Sequence, residues 1–97
     1  MSLAVVLSPA ADREFAEAAA WYERQANRGE AFVEGVQQAL DRIGQMPELH
    51  AAVYRNIRRI RVRGFPYNVY YRILSDRIEI IAVFHHKRDP KSWQSRA

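Results

Sequence analysis

The chain contains no cysteine. Disulfides and thiolate metal sites are therefore excluded, and a reducing compartment, the cytoplasm, is the expected setting. Long apolar runs are also missing. Nothing in the 97 residues approaches the roughly 18 consecutive apolar side chains of a membrane span. Met1 to Leu7 carries neither the basic start nor the small-residue cleavage site of a secretory signal. Lysine is scarce, since 13 of the 15 basic side chains are arginine. Arginine forks to phosphate or carboxylate where lysine acts as a point charge, so this bias favours an interaction surface over simple solubility. Repeats, low-complexity segments and linkers are absent. One domain spanning residues 1–97 is expected, of a size that buries about two-thirds of its unfolded surface.

The charge that is present is unevenly placed. Residues 53–97 hold 11 basic and 3 acidic side chains, a net +8, while residues 1–52 hold 4 basic and 8 acidic, a net −4. The overall +4 averages an acidic half and a basic half. Arg58 to Tyr67 and His85 to Pro90 are the dense basic stretches, and residues 87–97 form a basic tail. Such asymmetry points to an anionic partner at one surface, either nucleic-acid phosphate or an acidic protein segment.

Periodicity supplies the elements. Leu3 to Leu7 reads as a short strand. Ser8 is placed to cap a helix whose first position is Pro9. Ala11, Phe15, Ala18, Ala19, Tyr22 and Ala26 recur at helical spacing, and Arg13 is spaced to pair with Glu17. Asn27 to Gly29 breaks the helix. A second helix from about Glu30 carries Val33, Val36, Leu40 and Ile43 on one stripe and ends at Pro47. Residues 57–63, 67–74 and 77–84 alternate as strands. With turns at Gly64-Phe65 and Ser75-Asp76, Val62 faces Tyr67, Ile60 faces Val69, Arg61 faces Asn68 and Arg59 faces Tyr70. Across the second turn Ile73 faces Ile78, Arg72 faces Glu79, Tyr71 faces Ile80 and Val69 faces Ala82. The fold class is therefore α+β: an antiparallel sheet with an αα-hairpin on one face, in β-α-α-β-β-β order.

This register predicts two unlike faces. Ile60, Val62, Val69, Tyr71, Ile73, Ile78, Ile80, Ala82 and Phe84 would meet the helices. Arg59, Arg61, Arg63, Asn68, Tyr70, Arg72, Ile81, Val83 and His85 would face the other way. Ile81 and Val83 need a cover there, from the tail with Trp93 or from a partner. The acidic first helix is most simply a solvated face. His85 and His86, adjacent in a strand, would point to opposite faces, and His50 is distant in sequence; neither a metal site nor a cofactor is expected. Arg72 is expected to pair with Glu79. For metal-free phosphoester cleavage, Arg59, Arg61 and Arg72 would carry the phosphorane charge, with His85 the only group on that face titrating near neutrality.

The run from Arg58 to Arg72, the stretch from Asp76 to His86, and then Arg88-Asp89-Pro90 and Trp93 resemble the RelE/ParE superfamily, the toxins of bacterial type II toxin–antitoxin systems. RelE-like members are metal-free, ribosome-dependent mRNA endoribonucleases. ParE-like members inhibit DNA gyrase by binding. In both, an antitoxin with a flexible segment neutralises the toxin. Arg59 and Arg61 match the alternating basic pair of the RelE pattern, and Arg88 its late basic residue. Asn68 stands where that pattern has an arginine, and no tyrosine follows Tyr71 to act on the attacking hydroxyl. Phe65-Pro66-Tyr67 and the His85-His86 to Pro90 stretch are closer to ParE. The resemblance implies a ParE-like gyrase inhibitor that forms a hetero-oligomer with an acidic ParD-like antitoxin and reaches operator DNA only through it. Its docking surface for target or antitoxin would comprise Arg59, Arg61, Arg63, Asn68, Tyr70, Ile81, Val83, His85, Arg88 and Trp93. The alternatives are a RelE-like ribonuclease acting on ribosome-bound mRNA through Arg59, Arg61, Arg72, His85 and Arg88, and a non-toxic antitoxin-binding domain that regulates its own operon.

Overall fold

A computed structural model describes residues 3–97. Its elements are β1 (Ala4–Leu7), α1 (Pro9–Ala26), α2 (Gly29–Gln45), β2 (Ala52–Tyr54), β3 (Ile57–Arg61), β4 (Tyr67–Ile73), β5 (Arg77–His85) and the short α3 (Lys91–Gln94). The strands form one mixed sheet in the order β1-β5-β4-β3-β2, with β1 parallel to β5 and the other pairs antiparallel. The class is α+β, as the alternation and the helical spacing predict. The extra strand, β2, is three residues long and mostly exposed, too short to show a period.

Local chemistry accounts for the helix ends. Ser8 Oγ accepts the Ala11 N–H at 3.1 Å, with Pro9 in the first turn. Asn27 takes the left-handed conformation at φ 54°, and Asn27 and Arg28 N–H donate back to the carbonyls of Glu23 and Tyr22. Glu23 Oε1 then accepts the N–H of Gly29, the first residue of α2. Ala26 proves exposed, and Arg13 does not pair with Glu17.

The helix hairpin covers one face of the sheet. Phe32, Val36, Ala39 and Ile43 of α2 and Ala11 and Ala18 of α1 pack on Ile60, Val62, Val69, Tyr71, Ile78, Ile80 and Val83. Each large side chain fully removed from water there contributes about 1.5–3 kcal/mol. Gly35 lets α2 sit close to β3, since a Cβ would lie 3.1 Å from Val62 Cγ1. Gly64 makes the β3–β4 turn at φ +84°.

The β3–β4 register is the predicted one, with Ile60 opposite Val69 and Arg61 opposite Asn68. The β4–β5 register holds only as far as Tyr71 opposite Ile80. Tyr70 then faces Ala82 and Val69 faces Val83, so Ile81 is an inserted residue, a β-bulge. Beyond it the strand changes phase. Val83 joins the helix-side core, whereas Ala82 and Phe84 move to the outer face. This reverses the expected sides of Ala82, Val83, Phe84 and His85.

Candidate functional site

The outer face has a small core of its own. Ile57, Tyr70, Ile81, Ala82, Phe84 and Trp93 cluster there, with Tyr54 at the edge. Trp93 arrives on α3 and stacks on Tyr70 at 4.1 Å and 20°. It is 4% exposed, so the tail itself covers the apolar strip. Arg96 fastens this cover. Its guanidinium donates to both carboxylate oxygens of Glu14 (3.1 and 2.8 Å) and to the Ile81 carbonyl at 2.9 Å. Glu14 also accepts the Val83 N–H at 3.1 Å. β1 pairs with β5 only through Ile80, and Glu14 satisfies part of the strand edge left open beyond it. Glu14 sits among surface acids in sequence, so the first helix is not wholly the solvated face expected of it.

The predicted docking residues fall into three environments. Asn68, Tyr70, Ile81, Val83 and Trp93 are buried within the chain itself. Asn68 Nδ2 donates to the Tyr70 hydroxyl at 3.4 Å. Arg59, Arg61, Arg63 and Arg88 are exposed. Arg59 and Arg61 share the outer face, spaced by two strand residues, about 6.6–6.8 Å. Only Arg61 Nε is engaged, donating to the Phe65 carbonyl at 2.9 Å, which leaves its terminal nitrogens free. Arg72 is held by Glu79, as its cross-strand position predicts, with Nε and Nη2 both 2.9 Å from Oε1. Among the described residues the other ion pairs are Arg77 with Asp76 and Arg96 with Glu14, so Arg55, Arg58, Arg59, Arg61 and Arg63 have no carboxylate partner.

His85 occupies the third environment. It pairs with Tyr67, whose ring packs against Tyr22 and Phe32 on the helix side. The His85 ring lies 5.3 Å from Tyr67 and lines a groove with Trp21 and Tyr22. The phase change at Ile81 thus removes His85 from the face that carries Arg59, Arg61 and Arg72. Its Nδ1 accepts the Lys87 N–H at 3.1 Å. Burial first, then the charges of His86, Lys87, Arg88 and Arg61, push its pKa below the ordinary histidine value. His86 does not point away from it. The strand ends at His85, and the two imidazoles stack at 5.1 Å and 12°. No group of three or more His, Asp or Glu side chains able to hold a metal ion occurs among the described residues.

The fold has solved counterparts. A chain titled "Chromosomal ParDE TA system from P. aeruginosa" superposes with a TM-score of 0.66 over 86% of this chain and 95% of that one, at 11% identity, a likeness of fold. No curated protein matches the sequence. The family model described as "ParE toxin of type II toxin-antitoxin system, parDE" matches residues 5–90. The chain therefore belongs to the ParE toxin family of type II toxin–antitoxin systems.

Proposed function

We propose that this chain is a cytoplasmic toxin that inhibits DNA gyrase by binding and is neutralised by a cognate antitoxin with an acidic, flexible segment. One observation carries this reading. Arg59 and Arg61 stand side by side on the outer face without carboxylate partners, and the His85 imidazole lies on the other side of the sheet. Cations with no base on their own face suit the recognition of an acidic surface better than strand cleavage, which needs a proton acceptor at the 2′-oxygen as well as charge stabilisation. Membership of the family supports gyrase as the target and a ParD-like antitoxin as the neutralising partner.

The test pairs two assays on purified toxin: gyrase supercoiling, and translating ribosomes with labelled mRNA. Lost supercoiling with intact mRNA is expected. Cleaved mRNA with unaffected gyrase would establish the ribonuclease alternative instead. No effect in either, without growth arrest on expression, would leave only antitoxin binding and operon regulation. Arg59→Ala with Arg61→Ala should weaken gyrase inhibition at least about tenfold. Both side chains are exposed, so stability should change by no more than about 0.5 kcal/mol. A double variant that unfolds would make these arginines structural.

A further inference from the structure

The groove that receives His85 opens beside Trp21 and Tyr22 of α1, is not lined by Arg59 or Arg61, and is not used by the function proposed above. Trp21, Tyr22, Pro66 and Tyr67 form its apolar walls, and His85, Lys87 and Arg88 its rim, around about 580 Å³. Trp21 is half exposed and meets Tyr22 edge-on at 5.1 Å and 88°, which fixes a right-angled aromatic wall. Tyr22 is anchored in turn by stacking on Phe32 at 5.1 Å. A half-exposed tryptophan set edge-on against a partly buried tyrosine is a ready-made contact for an apolar side chain.

Charge selects the occupant. No carboxylate lines this groove, and neither Lys87 nor Arg88 has an acidic partner. The Arg88 guanidinium rests 4.5 Å over the Phe84 ring, which positions it while leaving it free to pair. A smaller recess continues past Trp21 and Arg88 towards Val83, lined by Glu14 and Glu17. Glu14 is neutralised by Arg96, whereas Glu17 is exposed and unpaired. The groove is thus cationic at the Pro66–Arg88 end and acidic beyond Trp21. The larger concavity between α1 and α2, about 810 Å³, has Glu23, Glu30 and Glu34 on its walls and offers an anionic segment nothing.

We propose that this groove is a second docking site, for a short acidic segment of a partner protein that places one aromatic or aliphatic side chain against Trp21 and Tyr67 and its carboxylates beside Lys87 and Arg88. Neither Arg59 nor Arg61 lines it.

The probe is the peptide Ac-Glu-Asp-Leu-Phe-Asp-Glu-NH2, titrated into the full ¹⁵N-labelled chain and followed by amide and indole chemical shifts. Saturable shifts centred on Trp21, Tyr67 and His85 are expected. Trp21→Ala should weaken binding about tenfold, the loss typical of an aromatic contact residue, with an unchanged circular dichroism spectrum. Replacing Phe by Ala in the peptide should cost a similar factor, as should replacing its acids by amides. Arg59→Ala with Arg61→Ala should leave the affinity unchanged, so this result does not depend on the gyrase assay. Shifts centred on β3 and abolished by that double variant would overturn the proposal, because the peptide would then sit on the arginine face. Absence of saturable binding, or binding indifferent to Trp21→Ala, would overturn it as well.

Discussion

The two faces of the sheet are covered in different ways. On one side two helices of 18 and 17 residues lay down a continuous core in which Phe32, Val36, Ile43, Tyr71 and Ile80 are fully buried. On the other side a single four-residue helix brings one tryptophan to a strip of five apolar side chains, and an Arg96–Glu14 pair ties it down. The first cover is redundant, with many contacts sharing the burial. The second depends on two residues within five positions of the chain's end. The helix side should therefore set global stability, and the outer side should loosen first.

That contrast is broken most severely at the helix-side core. Phe32→Ala should cost about 3–5 kcal/mol, enough to unfold much of a chain this size, as a urea titration would show. Trp93→Ala should cost less, about 2–3 kcal/mol, because its cluster is thin, and it should expose Tyr70 and Ile81 to a hydrophobic dye while far-UV circular dichroism stays native. If Trp93→Ala instead matched Phe32→Ala, the two faces would form one cooperative core. The smallest effect concerns pH. Burial, followed by nearby arginine charge, lowers the pKa of His50, whose Nε2 is buried without a partner; burial and neighbouring cations also lower that of His85. The unfolded chain protonates these rings near pH 6.5 and the folded chain resists, so stability is complete above that pH and falls as the pH drops below it. Melting temperatures at pH 7.5 and 5.0 should show the decline, with His50→Gln flattening it.

Much of this architecture is legible from spacing alone. Ser8-Pro9, the Asn27 break and the β3–β4 register follow from local chemistry that any reader of the chain can apply. The bulge does not. Ile80 to Phe84 is an unbroken apolar run, so no polar residue marks the phase, and alternation carried through Ile81 assigns the next four side chains to the wrong faces. That single residue decides whether His85 stands with the arginines, and hence whether a catalytic set is plausible. Glu14 is hidden for another reason. Its partners Val83 and Arg96 lie 69 and 82 positions away, beyond any local pattern. The groove at Trp21 is likewise assembled from three separated segments, and in sequence Trp21 looks like an ordinary helix-packing residue.

The pairing of β1 with β5 also governs when the molecule can exist. Val5 finds its neighbour at Ile78, so the first strand waits for nearly the whole chain before it has an edge to join. A fragment ending before Arg77 contains the helix hairpin but lacks both β5 and the tail that closes the outer face. During synthesis the acidic half therefore emerges first and stays open, and the arginine-bearing surface takes shape only once β5 has been made. A chain wired in this way cannot complete its sheet before β5 is in place, however early its helices form.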